Sequence, residues 1–494
     1  MHGLLRQPGH HKQTVVNNSD QMIKTEQIFI LILALTLLSE CTDKVKTNIS
    51  APNGLWKQIG YGRILELNDT TIKVFDLNDI DCMLTFEEDI LDFAEVIGIN
   101  GDTLTLKHGI DHWKCIRIDK LPANCHGQEH KNNKDPLYNY DVFWQNFKEH
   151  YCSFEVKNID WDIVNEEYRP KINAETTDLE LFLLFEEIIT MLKDGHIKMS
   201  VPESIEDEYS SSIKKVPGKF NKLEEFEISE SLALLYVDSL RTFNAGMTRW
   251  GMIGKNVGYV QINSMLMQAD YNLEEGLSLK EFERPYWVDN VARRKDEIYR
   301  QEEAAGMKAT FDRVLTEMPN ATSFIIDLRF NGGGKDGVAM EIIHNFSSYQ
   351  GIMAVKYVYE KGQFVNHQNI TNTPSSNGFN GPVYLLTSHL TASASELAVL
   401  CSLADDQFTR IGTRTEGIFS STLDKVLPNG WDYEFSNEIY EDLKGFNYEH
   451  IGISPDIQIE YSRVTDEFFE KLITDIKAGT DPAIEAALQR IRNR

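Results

Sequence analysis

Cysteine is sparse in this chain: six stand at 41, 82, 115, 125, 152 and 401, and no two form a C-x-x-C pair. That excludes the dithiol and zinc-ribbon chemistries that need such spacing. Cys82, Cys115 and Cys125 lie close enough in sequence for one disulfide, with the pairing left open. Positive charge is also short. Lys and Arg number 49 against 76 acidic residues, a net charge of −27. No basic stripe is offered to phosphates, so nucleic acid is excluded as a partner. There is no G-x-G-x-x-G turn, no P-loop and no His/Cys cluster at metal-ligand spacing, so nothing calls for a metal or cofactor.

Long apolar runs are missing too. The stretch from Ile28 to Leu38 is eleven residues, too few for a bilayer that needs about 20. It follows Lys24 and precedes Cys41, as in the apolar segment of a signal peptide, with Met22 as a candidate start. Leu38-Ser39-Glu40-Cys41 resembles a bacterial lipobox. The expectation is export to the cell envelope, as a periplasmic protein or a lipoprotein tethered to a membrane through Cys41. Residues 1–53 are then leader and tether.

Composition is otherwise ordinary, with 41% hydrophobic and 25% charged residues. Residues 54–124 alternate short strand-like runs ("GRILELN", "TIKVFDLN", "TLTLKHG") with turn signals, predicting a small antiparallel barrel or sandwich. "CHGQEHKNNKDP" at 125–136 reads as a polar linker, and few signals tie the β module to the chain beyond it. Residues 135–205 predict a helical subdomain. Phe143, Phe147 and Tyr151 share one helix face, and Leu181, Leu184, Phe185, Ile188 and Leu192 another. Asp178 would cap the second helix and Gly195 would end it, which leaves His196 on the loop beyond.

Residues 206–494 read as α/β, with a charged helical insertion at 268–318. "ATSFIIDLRFNGGGKDG" runs from a buried strand through three glycines into a helix. Such a turn lets backbone approach a ligand and aims amides at an anion. "GPVYLLTSHLTASASELAVL" repeats strand, loop and helix. Small residues at the carboxyl ends of two such strands are how an open α/β sheet builds a site. Ser393 and Glu396 also fit a capping box, S-x-x-E, with Ser393 accepting from the N3 amide and Glu396 reaching back. Asp481-Pro482 opens a final helix.

Together "LKDGHIKM", "GYVQI", "IIDLRFNGGG", "TASASE" and "EHIGISPDI" resemble, in order, the motifs of the tail-specific (C-terminal-processing) serine peptidases, tricorn-like branch. The resemblance covers roughly residues 137–490. It implies a crotonase/Clp-protease-like α/β core with a helical N-terminal subdomain. It implies an exported serine endopeptidase acting on peptides or unfolded protein tails. The nucleophile would be Ser393, with Thr391 and Ser395 structural. Where the tail-specific branch has a lysine base this chain has Ile418, so the base falls on His196 and its orienting acid on Glu449. Gly195 stands where some members have serine. Ala394 and Gly333 would supply the oxyanion amides. Residues 200–255 carry no glycine-rich carboxylate loop, so no PDZ domain is expected. A ligand-binding protein on the same scaffold and an esterase are the rival readings.

Overall fold

The structure is a computed structural model that describes residues 52–126, 132–212 and 218–494. The leader, with Met22 and Cys41, lies outside the described residues. Among the described residues no helix is long and apolar enough to cross a membrane.

The N-terminal strands form one eight-stranded sheet whose hydrogen-bonded order runs from Glu95–Asn100 at one edge to Cys125–His126 at the other, without closing. Its neighbours pair antiparallel except at one edge, where Cys82–Asp89 and Cys125–His126 run parallel. That pairing sets Cys82 against Cys125, and these two form the disulfide; Cys115 is free and buried.

The helical segment follows as Pro136–His150, Trp161–Tyr168 and Asp178–Leu192. The last helix begins one residue earlier than the sequence suggests. Thr177, not Asp178, is its N-cap, closing a capping box with Glu180. It ends at Lys193, held in the left-handed region at φ 48°. The predicted apolar faces are buried: Phe143, Phe147, Tyr151, Leu181, Phe185, Ile188 and Leu192 are nearly inaccessible, and Leu184 is partly buried against the same cluster.

The polar linker does not divide two cores. Trp56, Leu65 and Trp113 of the β sheet belong to one apolar cluster with Tyr140, Phe143 and Phe185 of the helices and Tyr433 and Phe435 further on. At ~1.5–3 kcal/mol for each fully buried large apolar side chain, separating the two parts would expose apolar surface on both. The sequence hides this because the faces that meet are ordinary amphipathic faces, and nothing local says what covers them.

The α/β core is a seven-stranded sheet. Arg241–Phe243, Thr248–Ile253 and Val257–Ile262 pair antiparallel. Ser323–Asp327, Val383–Thr387, Phe408–Gly412 and Ile457–Gln458 continue it in parallel. The charged segment 268–318 divides in two. Its first part caps the molecule around Phe282 and Tyr286. The helix Asp296–Glu317 instead joins two parallel neighbours and buries Met307, Phe311 and Val314 in the main core. A parallel crossover demands such a helix. Two small sheets flank this core. In one, Lys198–Ser200 pairs with Asp432–Ser436, which pairs with Thr422–Val426. In the other, Gly351–Glu360 lies between Gln363–Asn372 and Glu438–Glu441.

Candidate active site

The two strand–loop–helix units meet at the carboxyl ends of their strands. Below them Arg329 is fully buried and forks onto two carboxylates. Its guanidinium donates to Asp327 (2.9 and 2.7 Å) and to Asp481 (3.0 and 2.8 Å). Asp481 also caps the last helix through the amides of Ala483 and Ile484, as its sequence position suggests. A bidentate pair of this kind fixes orientation as well as charge, and it anchors the loop 329–335 under the site.

Asn331 then ties that loop to its neighbours. Its Nδ2 donates to Ile262 O at 3.0 Å, its Oδ1 accepts from Gly333 N at 2.9 Å, and its carbonyl accepts from Ser395 Oγ at 2.6 Å. Thr391 Oγ1 donates to Leu328 O at 2.9 Å. Thr391 and Ser395 are therefore structural ties, as the resemblance implies. Gly333 adopts φ +100°, and a Cβ there would stand 2.6 Å from Ser393 Cβ. The glycine turn and the serine are in direct contact because there is no side chain between them.

Ser393 does not cap its helix in the expected way. It occupies the N-cap position of Ala394–Cys401 at φ 54°, ψ −128°, with no side-chain cap bond. The S-x-x-E pattern misleads because Glu396 finds tertiary partners instead. Its carboxylate accepts from Gly417 N (2.9 Å) and Ile418 N (2.7 Å). Ile418 O in turn accepts from Ser393 N at 2.8 Å. Burial pushes the Glu396 carboxyl up to about 7. The outcome is a serine in a strained backbone conformation, a geometry that costs of order 1–3 kcal/mol and clusters at functional sites. Its hydroxyl is free of the cap. The Ala394 amide beside it carries no hydrogen-bond partner among the described residues.

The segment 417–420 gathers the remaining candidates. A Cβ on Gly195 would lie 2.8 Å from Ile418 Cδ1, so the loop carrying His196 abuts the residue that holds the Ser393 amide. Ile418 and Gly195 thus fit as a pair, the larger side chain excluding any at 195. Glu449 is buried, and its Oε2 accepts from Phe419 N (2.8 Å) and Ser420 N (3.0 Å). Its Oε1 is buried with no partner, as is His196 Nδ1. These are the two atoms that a histidine–glutamate pair would join. No hydrogen bond between Ser393 and His196, or between His196 and Glu449, is formed among the described residues. Such bonds often tighten only in the substrate complex. Burial lowers the His196 ring from its ordinary value, with Asp194 acting against it. Burial, then the charge of Asp194, raises Glu449 to about 8.

Two residues here are not singled out by the sequence. Asp194 is buried, accepting from Tyr151 Oη at 2.9 Å and from His196 N at 3.0 Å, and so shapes the histidine loop. His450 sits at φ 59° with a buried, unpartnered Nε2 4.0 Å from Glu449 Oε1. "DGH" and "EHIG" display both residues, but the burial of Asp194 and its bond from Tyr151 come from a distant segment.

Residues 256–459 match the family model of peptidase family S41, and residues 132–190 match that of the tricorn protease C1 domain. No curated protein matches the chain. Among solved structures, a protein of Parabacteroides merdae assigned as a peptidase is similar at 22% identity and TM-score 0.52, covering 72% of this chain and 96% of its own. A photosystem II D1 C-terminal processing protease is similar at 14% identity and TM-score 0.42, covering 71% and 99%. A lipoprotein from Streptococcus agalactiae is similar at 15% identity and TM-score 0.41, covering 72% and 99%. At 22% identity the first of these likenesses speaks for fold alone. The first match lies over the glycine turn and the serine-bearing helix and the second over the helical segment, so residues 256–459 are similar to the S41 peptidases and residues 132–190 are tricorn-like.

Proposed function

We propose that the protein is an exported endopeptidase that cleaves peptides or unfolded protein tails through Ser393, His196 and Glu449. One observation carries the assignment of the nucleophile. Ser393 is held in strained backbone at a helix start, its hydroxyl uncommitted and the glycine turn in contact with it. A serine hydroxyl needs a base to attack. In the closed arrangement His196 takes the Ser393 proton as Oγ bonds to the scissile carbonyl carbon. It then returns that proton to the leaving amine as the carbon–nitrogen bond breaks. Water repeats the cycle on the acyl-enzyme. Glu449 Oε1 accepts from His196 Nδ1–H and stabilises the imidazolium, while its Oε2 stays on the two amides. The oxyanion rests on Ala394 N–H at the positive helix end. Gly333 N–H joins it by exchanging Asn331 Oδ1 for the developing charge.

The Cys82–Cys125 disulfide supports export, because disulfides persist in oxidising compartments. The lipobox-like Cys41 supports attachment to the cell envelope. Labelling with a fluorophosphonate, followed by peptide turnover of Ser393→Ala and His196→Ala, tests the reading. Both variants should lose turnover about equally, since such residues act as a unit, and Ser393→Ala should lose the label. Ester turnover that persists while peptides are untouched would sink it.

A further inference from the structure

We infer that Tyr61 and Asp111 of the N-terminal β sheet are positioning residues of the peptidase, clamping both walls of its site through the buried lysine Lys356. This rests on the Ser393/His196/Glu449 reading. Lys356, on Gly351–Glu360, is 1% exposed and pairs with two carboxylates. One is Glu438 of the neighbouring strand, at 2.7 Å. The other is Asp111, which comes from the β sheet. Tyr61, also from that sheet, donates its hydroxyl to Glu438 Oε1 at 2.5 Å. The core thus supplies the buried lysine with one carboxylate, the N-terminal sheet supplies a second, and Tyr61 of that sheet holds the first in place. A buried ion pair depends on having its partners held in good geometry.

The network reaches the site by two routes. Glu438 N donates to Ser420 Oγ at 3.0 Å, and Ser420 N donates to Glu449 Oε2 at 3.0 Å. Lys356 also donates to Tyr440 Oη at 3.3 Å. Tyr440 Oη meets Ser421 Oγ at 2.9 Å and donates to Asp336 Oδ2 at 3.1 Å. Asp336 opens the helix that leaves the glycine turn. One wall therefore leads to the acid that orients His196, the other to the oxyanion turn. A second buried lysine repeats the arrangement. Lys425, in the hairpin after Ser421, donates to the carbonyls of Tyr61 (2.9 Å) and Gly62 (2.7 Å) and to Asp76 (3.1 Å).

The consequence is a pH signature. Glu449 is faced by Asp194, Glu396, Cys152, Lys157 and His450, and His196, whose ionisation sets the acid limb, by Asp194, Lys198, Glu434 and His450. When the Ser420 amide drifts from its carboxylate, Glu449 orients His196 less well and stabilises the imidazolium less. The acid limb of kcat/KM then moves to lower pH.

The test compares Tyr61→Phe and Asp111→Asn with the full-length wild type, scaling kcat to sites titrated by a fluorophosphonate. Both changes keep side-chain shape and leave Lys356 its bond to Glu438, so the chain still folds. Kcat should fall on the order of 3- to 30-fold, KM should stay within about twofold, and the acid limb should shift down. A lowered melting temperature with unchanged kcat per titrated site and an unmoved pH profile overturns the proposal, because the network would then only hold the sheet in place. Ser393→Ala is run alongside. Turnover surviving in that variant overturns the nucleophile, whatever the Tyr61 and Asp111 variants do.

Discussion

Gly333→Ala perturbs the point on which the site is built. At φ +100° an L side chain is disfavoured, by about 1–2 kcal/mol for left-handed backbone. The added Cβ would also meet Ser393 Cβ at 2.6 Å, Ala392 O at 2.7 Å and Ala394 N at 3.0 Å. Two of these three atoms are backbone, so relief requires the turn or the start of the serine helix to move by a few tenths of an ångström or more. A misplacement approaching 1 Å costs on the order of 10²-fold in rate. Gly332 gives the comparison, because a Cβ there meets nothing within 4 Å. Both variants are purified, their melting temperatures recorded and kcat/KM measured on one peptide. Gly333→Ala should lose about 100-fold and melt a few degrees lower, while Gly332→Ala loses far less of either. Equal activity in the two would refute the claim that the bare glycine positions the nucleophile.

The strain at Ser393 predicts that Ser393→Gly is inactive yet more stable than Ser393→Ala by ~1 kcal/mol, read by denaturant unfolding; equal stability would mean φ 54° costs nothing. Gly195→Ser should slow turnover by pressing on Ile418 Cδ1, and adding Ile418→Val should restore much of it. The kinetic double-mutant cycle should show ~1 kcal/mol of coupling, and strict additivity would contradict the contact. In the free fold, where no His196 bond reaches it, burial raises the Glu449 carboxyl to about 8, above its unfolded value, and the bond to His196 in the substrate complex brings it down. The folded state then binds more protons across that window, so this group's contribution to stability is present at low pH and lost as pH rises towards 8. Glu449→Gln should therefore lose less stability than wild type as pH rises from 4.5 to about 8, while losing turnover, and parallel pH curves would remove Glu449 from its buried position.

What the sequence shows well is local. The apolar faces at 143–151 and 181–192, the Asp481-Pro482 helix start and the strand–glycine–helix turn each depend on spacing within about ten residues, and each stands as expected. Patterns that tertiary partners can outbid are less legible. Ser393 and Glu396 spell a capping box, but the amides of Gly417 and Ile418 claim the carboxylate. Asp178 looks like a cap, but Thr177 closes a reciprocal pair with Glu180. The shared core of the β sheet and the helices, the Cys82–Cys125 pairing and the role of Asp194 rest on contacts between distant segments. His196 and Glu449 belong between these classes. Their motifs give their order along the chain, while the segment 417–420, which touches Gly195, Glu449 and the Ser393 amide, is seen only in the fold.

A crystal structure of the fluorophosphonate-inhibited enzyme tests the central claim most directly. The account predicts phosphorus bonded to Ser393 Oγ and the phosphoryl oxygen within hydrogen-bonding distance of Ala394 N and the glycine turn. It also predicts His196 Nδ1 on Glu449 Oε1. Phosphorus on another side chain, or a bound Ser393 with some other residue in the place of His196, would contradict it.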